Sequence, residues 1–450
     1  MTAKLRPVRL AALLVVLVLV AAACGSSKKG AKSTTGTTGT TASGTTAGGG
    51  TSLNRVGGSM EVAAVWSAQE ESNFKQVLGA FTSQTGTQVT FTSTGDDIAT
   101  VLRTRIQGGS PPDVAVLPQP GLIKDLVNQN ALKPIDAVAG SAVNANWSQD
   151  WKNLGTVNGQ LYGLFYKGAN KSLGWYNVRA FHNAGVTPPA TFDDVLKTAQ
   201  TVKASGVTPF AIGGGDGWVL TDLFENIYLR QAGAAKYDAL TNHAIPWTDP
   251  SVKEALTTMA RVLSDKSLMA GGSPTQSTFQ QAVDQVLKNP PAAAMLFEGD
   301  FVPGSATQKL QPVTDYDSFP FPSVNGSPPS VVGGGDAVVM MKDTPQAREL
   351  VKFLGTPQAA EIWAKLGGFS SPNKAVNPSV YPDPVTKRNA TALAEAATFR
   401  FDMSDQAPAA FGGTPARGEW ALLQQFASNP TNVDGIATQL EQAAAAAYKG

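Results

Sequence analysis

Carboxylates and aromatic rings recur together where apolar runs of the sequence end. Trp66 closes the run 60–66, Asp96 and Asp97 follow the run 88–94, and Gln119 follows Val114-Ala115-Val116-Leu117. Asp216 and Trp218 end a glycine-rich stretch, Gly213-Gly214-Gly215-Asp216-Gly217-Trp218. Glu298, Asp300 and Phe301 end the run 292–297. An acceptor beside a flat ring suits a polyol, whose hydroxyl rim takes charge-assisted hydrogen bonds and whose C–H faces lie on aromatic plates. Glycines let such a ligand approach the backbone closely. Tyr166, Gly334, Asp336 and Trp420, which heads a helix after Gly418-Glu419, complete the candidate set. Asp216 is equally placed to cap the helix that begins at Trp218. Two other chemistries fit fragments of the pattern. Glu298 and Asp300 could be the acid pair of a glycosidase, although strand-to-turn geometry disfavours their opposition across a sugar. The glycine run could cradle a phosphate, but it lacks Gly-Lys-Ser/Thr and dinucleotide spacing.

Other reactive constellations are missing from the sequence. His182 and His243 are the two histidines, and each stands alone, without a second ligand at metal or triad spacing. No Gly-x-Ser-x-Gly elbow occurs. These residues therefore predict no catalytic machinery, no metal and no cofactor. The residues through Ala23 carry Lys4, Arg6 and Arg9, so the remainder has 32 Lys plus Arg against 34 Asp plus Glu. A near-neutral body argues against nucleic acid and against electrostatic attachment to a membrane.

The elements that must position these residues are legible in residues 60–136. A strand (60–66), an amphipathic helix, a strand (88–94), a helix, the strand around Val114 and a helix (121–128) follow one another. That alternation predicts an open α/β sheet with helices on its faces, and ligands of such sheets sit beyond the carboxyl ends of the strands. Phe74, Val77, Leu78 and Phe81 fall at i, i+3, i+4 and i+7, one apolar stripe for the sheet. Ser67 is placed to cap this helix, with Glu70 and Glu71 in its first turn. Further on, Thr191 with Asp194 marks a helix start. Residues 207–212 read as a strand, 218–231, 249–268, 277–287, 344–354 and 356–366 as helices, and 389–449 as helical throughout. About 390 residues of globular sequence suit two lobes better than one core.

Residues 10–23 are an apolar run of about 14, short for a membrane span and preceded by the three positive charges, as in a secretory signal peptide. Ala21-Ala22-Ala23-Cys24-Gly25 resembles the lipobox of bacterial lipoproteins, with Ala21 where Leu is commoner. Cys24 is the single thiol and cannot form an internal disulfide; a diacylglyceryl group on it, with its two acyl chains, gives a stable anchor where one chain is marginal. Residues 25–58 are mostly Gly, Ser, Thr and Ala with a few Lys, a composition that cannot bury a core. Such a linker reaches roughly 30 Å.

The order of elements also resembles the family 1 extracellular solute-binding proteins, the receptors of bacterial ABC importers, and the sugar-binding branch above all. The likeness rests on the strand ending in Trp66, the helix through Phe74 and Phe81, Thr85-Gly86, and Pro112-Asp113-Val114. It continues in Tyr162-Gly163 through Tyr166, then Trp175-Tyr176-Asn177, and in Pro189-Ala190-Thr191-Phe192-Asp193-Asp194. Ala294-Met295 with Gly299-Asp300-Phe301, Gly333-Gly334, and Gly367-Gly368 before Pro372 extend it. Phe165 stands where Pro is common, and Phe301 where the family has a ligand-contacting Trp.

The resemblance implies a two-lobed α/β fold of the periplasmic-binding-protein kind (type II). Each lobe would be a mixed sheet with helices on both faces, joined by a hinge of several crossovers in which the glycines of residues 333–335 absorb the motion. It divides the chain into a signal peptide (1–23), a lipidated linker (24–58), lobe one (59–168 and 336–372) and lobe two (169–335 and 373–450). It implies a monomeric lipoprotein on the outer face of the cell membrane, attached only through its lipid. That lipoprotein would capture a sugar or oligosaccharide and deliver it to an ABC permease. A polyamine, peptide or chelate in the same fold is the alternative, and a secreted glycosidase a weaker one.

Overall fold

The computed structural model describes residues 52–449, so the leader, Cys24 and most of the linker lie outside it. The chain is already bound to the body ahead of Gly58. Asn54 donates its backbone N–H and its Nδ2 to Glu349 at 3.0 and 2.7 Å, and the Gly57 N–H reaches Thr85 O at 3.0 Å.

Two sheets organise the body. The larger is built from β1 (Ser59–Ala64), β2 (Gln88–Ser93), β3 (Val114–Leu117), β4 (Gly163–Asn170), β9 (Val331–Met340) and β10 (Phe399–Phe401). β1 lies parallel between β2 and β3. The long β9 runs antiparallel to β3 and β4 and parallel to β10. The smaller sheet has β5 (Leu173–Asn177), β6 (Thr208–Phe210), β7 (Ala293–Glu298) and β8 (Tyr316–Pro320), in the order β8-β5-β7-β6. Both sheets are mixed, and the fold is two-lobed.

The first helix, Ala68–Thr85, buries Phe74, Val77, Leu78 and Phe81 as the spacing predicts. Ser67 has extended backbone but makes no side-chain cap, whereas Thr191 accepts from the Asp194 N–H. The first core gathers Val62, Phe74, Val116, Leu164, Val338 and Trp363. The second gathers Phe210, Phe224, Trp247, Met295 and Phe426, and a smaller cluster holds Trp175, Val283 and Leu296. Residues 373–449 serve both lobes. β10 joins the larger sheet, while the helices Gly418–Ser428 and Val433–Ala447 pack on the second core. The tail 389–449 is therefore not helical throughout.

The chain passes between the sheets at Lys171-Ser172, before β9, and after β10, and these crossings are tied together. Lys171 N–H donates to Val332 O (2.9 Å), Val332 N–H to Ser172 Oγ (2.8 Å), and Asp402 N–H to Gly333 O (2.7 Å). The glycines of β9 allow close approach of neighbouring groups. A Cβ on Gly333 would lie 2.3 Å from the Phe399 ring, and one on Gly335 2.6 Å from Lys167 O. Among the described residues no helix is long and apolar enough to cross a membrane.

Candidate functional site

Between the lobes lies a cavity of about 290 Å³. The larger sheet contributes Trp66, Asp96 and Gln119 from beyond the carboxyl ends of β1, β2 and β3, together with Asp336 of β9. The other lobe contributes Asp216 and Trp218 from the glycine loop ahead of helix Trp218–Ala232, Phe301 from the turn after β7, and Trp420 from helix Gly418–Ser428. Eight of the thirteen residues singled out in the sequence thus meet at one place.

The remaining five lie outside its lining. Tyr166 is 1% exposed in the first core, where its hydroxyl donates to Ala359 O at 2.9 Å. Neighbours on a strand face opposite ways, so β4 turns Tyr166 into the core and the next residue, Lys167, toward the cavity. Gly334 instead makes room for the Lys171 stem, since a Cβ there would sit 2.7 Å from Lys171 Cε. Asp97 is exposed on the helical turn after β2. Glu298 accepts from the Gly299 N–H at 3.0 Å, and Asp300 from Ser370 Oγ at 2.5 Å, both buried behind the cavity wall.

Aromatic rings form the plates. Trp218 and Phe301 have centroids 6.1 Å apart, and Phe279, on the helix expected over 277–287, lies 5.1 Å from Trp218 and 5.5 Å from Phe301. Trp66 packs edge-on against Phe74 and Trp363, each at 4.7 Å, and donates its indole N–H to Asp336 at 3.1 Å. It is both a core residue and a cavity wall.

The polar groups are mostly acceptors. Two lysines missed in the sequence line the cavity, and both are committed to carboxylates. Lys167 meets Glu70 at 2.6 Å and Asp336 at 3.8 Å, and its ammonium sits 5.2 Å over the Phe301 ring. Lys171 meets Asp402 at 2.5 Å, Asp222 at 3.0 Å and Asp405 at 3.7 Å, and lies 5.6 Å over Trp218. Burial opposes the charge on both, but the carboxylates win and hold each ammonium above its usual range. A lysine in an otherwise apolar strand is the signal that could have pointed to Lys167, because such a charge must be paired.

Asp96 keeps solvent contact, yet the cavity walls crowd it. Desolvation, followed by the Asp216 carboxylate of the opposite lobe, pushes its carboxyl up to about 6. Asp216 does not cap the helix at Trp218. Its Oδ2 accepts the Phe279 N–H at 2.7 Å, pinning the glycine loop to the start of helix Phe279–Val286. The arrangement can hold a small solute between rings, offer carboxylate oxygens to its donors, and shield it on two sides.

Comparisons with known proteins agree with this geometry. The osmoprotective compounds-binding protein GgtB of Synechocystis sp. is 31% identical over 361 residues, covering 78% of this chain and 85% of that protein. The alpha-glucosides-binding periplasmic protein AglE of Rhizobium meliloti is 32% identical over 396 residues, covering 84% and 85%. Among solved structures, the bacterial solute receptor AcbH superposes with a TM-score of 0.77 at 21% identity, over 87% of this chain and 99% of that one. A chitin oligosaccharide binding protein gives 0.73 at 18% identity, over 87% and 99%. The sequence profile described as "Bacterial extracellular solute-binding protein" matches residues 66–361. A two-lobed α/β body with its cavity between the lobes, and relatives of this kind along most of its length, place the chain in the bacterial extracellular solute-binding protein family.

Proposed function

We propose that this protein is the receptor of an ABC importer for a small glycoside, and that it is not an enzyme. One observation carries the reading: Trp66, Asp96 and Gln119 of one lobe and Trp218, Phe301 and Trp420 of the other line a single cavity of rings and acceptors. A solute that touches both lobes favours the closed state by its differential affinity, and the closed state is what a permease would read. The relatives named for alpha-glucosides and osmoprotective compounds support a small polyhydroxylated solute. The glycosidase alternative loses its motive, because Glu298 and Asp300 are tied to Gly299 and Ser370 away from the cavity.

The lobes divide as 59–168 with 336–372, and 169–335 with 373–450, with β10 returning to the first sheet. The leader exports the chain, a lipid on Cys24 anchors it to the outer face of the cell membrane, and the linker holds a monomeric body off the surface.

The test is titration of the protein with a sugar panel, followed by tryptophan fluorescence and melting temperature. A cognate glycoside at 100 times Kd stabilises by ~2.7 kcal/mol; no response to any glycoside would overturn the reading. The acceptor-rich lining, with Asp96 and Asp216 facing each other across it, favours one second reading, a cationic solute such as a polyamine. That reading predicts a response to spermidine and none to neutral sugars.

A further inference from the structure

Beneath the cavity, four buried carboxyls crowd the ammonium of Lys171. Asp402, Asp222 and Asp405 stand 2.5, 3.0 and 3.7 Å from it, and Glu298 adjoins Asp222. Lys171 belongs to the first crossing between the sheets, and Asp402 and Asp405 to the one after β10. Asp222 comes from helix Trp218–Ala232 and Glu298 from the end of β7. Lys171 and Asp405 also line the cavity, so the cluster lies one side chain from its solvent.

The hydrogen bonds of this cluster require protons. Asp402 is well supplied: besides Lys171, it accepts from Ser404 Oγ at 2.8 Å and the Asp405 N–H at 2.9 Å. Asp222 Oδ2 and Glu298 Oε1 are buried and receive no such donor. The two carboxyls meet each other instead, and Asp222 also meets Asp402. An ionised carboxylate only accepts, so a bond between two carboxyls exists only with a proton in it. Fully ionised, the four would set four negative charges against one positive charge out of water, at a high desolvation cost. Carboxyls this close share a proton rather than ionise together. The neighbours reinforce this. Glu225 and Glu419 face Asp402 from two helices of the second core, and Asp336 faces Asp405 from β9. Glu225 is satisfied by the Tyr237 hydroxyl and the N–H groups of Met403 and Ser404, whereas neither oxygen of Glu419 has a partner.

The same groups hold the ring wall of the cavity. Asp222 lies one turn along the helix that Trp218 begins, and the Trp218 ring rests 5.6 Å from the Lys171 ammonium. Phe301 follows Glu298 by three residues, in the turn after β7. We propose that Asp222 and Glu298 share one proton, and that this proton locks the wall of Trp218 and Phe301 onto the crossings. When the proton leaves to solvent, the carboxylates repel, water enters from the cavity, and the lobes part. Retention of a solute thereby becomes sensitive to pH, whichever solute the cavity takes. The sign follows from burial, which holds the Glu298 carboxyl up to about 8 in the locked state against an ordinary 4.5 in water. The locked state keeps a proton that the opened state has lost, so opening gains up to about tenfold per pH unit between those values and no more above them.

The experiment needs no solute and compares wild type with Glu298→Gln and Asp222→Asn. Near pH 7 the infrared spectrum of wild type should contain the carbonyl band of a buried, protonated carboxyl, and each variant should remove part of it. From about pH 5 to about pH 9 the radius of gyration of wild type by solution X-ray scattering should rise while far-ultraviolet circular dichroism stays constant. Both variants should flatten that rise, because an amide keeps a donor in the bond without titrating. Absence of the band from wild type, or a band unchanged in both variants, would overturn the proposal. So would a constant radius of gyration in wild type, or a rise that both variants retain. Loss of circular dichroism in step with the rise would also overturn it, since the body would then be unfolding rather than opening. Where one variant does not fold, the other and the wild-type band decide.

Discussion

Lys171→Met asks most of the physical account. The Lys171 ammonium lies between Asp402, Asp222 and Asp405 at 2.5, 3.0 and 3.7 Å, and its side chain is 11% exposed. Methionine keeps much of the stem and removes the charge. Breaking a buried ion pair from one side costs about 3–5 kcal/mol, because the remaining charge is left uncompensated. Asp402 alone shows the scale. Burial pushes its carboxyl up, yet Lys171 overcomes this and holds it down at about 2. Against an ordinary value near 3.8, that is about 2–3 kcal/mol.

Spread over about 400 residues, such a loss lowers the melting temperature by roughly 4–6 °C. The pH dependence carries the sharper test. Asp402, with a depressed folded value, contributes stability that is present above its unfolded value and lost as pH falls toward 2. Without the lysine its carboxyl rises, and that contribution disappears. The deficit of the variant should therefore be largest near pH 8, shrink as pH falls toward about 4, and close only as pH approaches about 2. Urea denaturation of both proteins at pH 8 and pH 4.5, followed by circular dichroism, measures it. A deficit below about 1 kcal/mol, or one equal at both pH values, would refute the charge argument and leave only packing.

Other consequences are simpler to state. Burial pushes Glu298 up to about 8 from its ordinary 4.5. The folded state thus holds a proton that the unfolded state has lost between those values, and stability falls as pH rises through that window. Glu298→Gln should be more stable than wild type by about 2–4 kcal/mol near pH 9 and unchanged near pH 4, by denaturation at the two pH values. Gly121→Ala places a Cβ 1.8 Å from Ala407 O, between residues of the two cores. Overpacking of this kind costs about 1–3 kcal/mol, relieved by parting the lobes, and should appear as a larger radius of gyration by solution X-ray scattering. Trp66→Phe removes the indole donor at 3.1 Å from Asp336 Oδ2 and leaves that oxygen only the Lys167 ammonium at 3.8 Å. It should cost about 1–3 kcal/mol in thermal denaturation, and an unchanged melting temperature would show that the bond is dispensable.

The fold was readable because strand ends, helix stripes and glycine-bearing crossovers are local patterns, and the stripe of Phe74, Val77, Leu78 and Phe81 shows the mechanism. The cavity was partly readable for the same reason: residues just beyond β1, β2, β3 and β7 must face the gap between the lobes. What escaped was parity and partnership. Tyr166 and Lys167 are adjacent, and only the register of β4 on β9 decides which faces the cavity. Lys171 draws its carboxylates from Asp222 and from Asp402 and Asp405, far along the chain and on different elements. The turn after β7 sends Phe301 to the cavity but folds Glu298 and Asp300 behind it. The glycines of β9 are also sites of close approach, which depends on neighbours the sequence does not bring together.

The most direct test of the receptor account is a crystal structure of the protein grown with the glycoside that binds best in titration. The account predicts that solute between the lobes, its ring on Trp218 or Phe301 and its hydroxyls on the carboxylates that line the cavity. A glycoside seated elsewhere on the surface, with the cavity between Trp66 and Trp218 left to solvent, would contradict it.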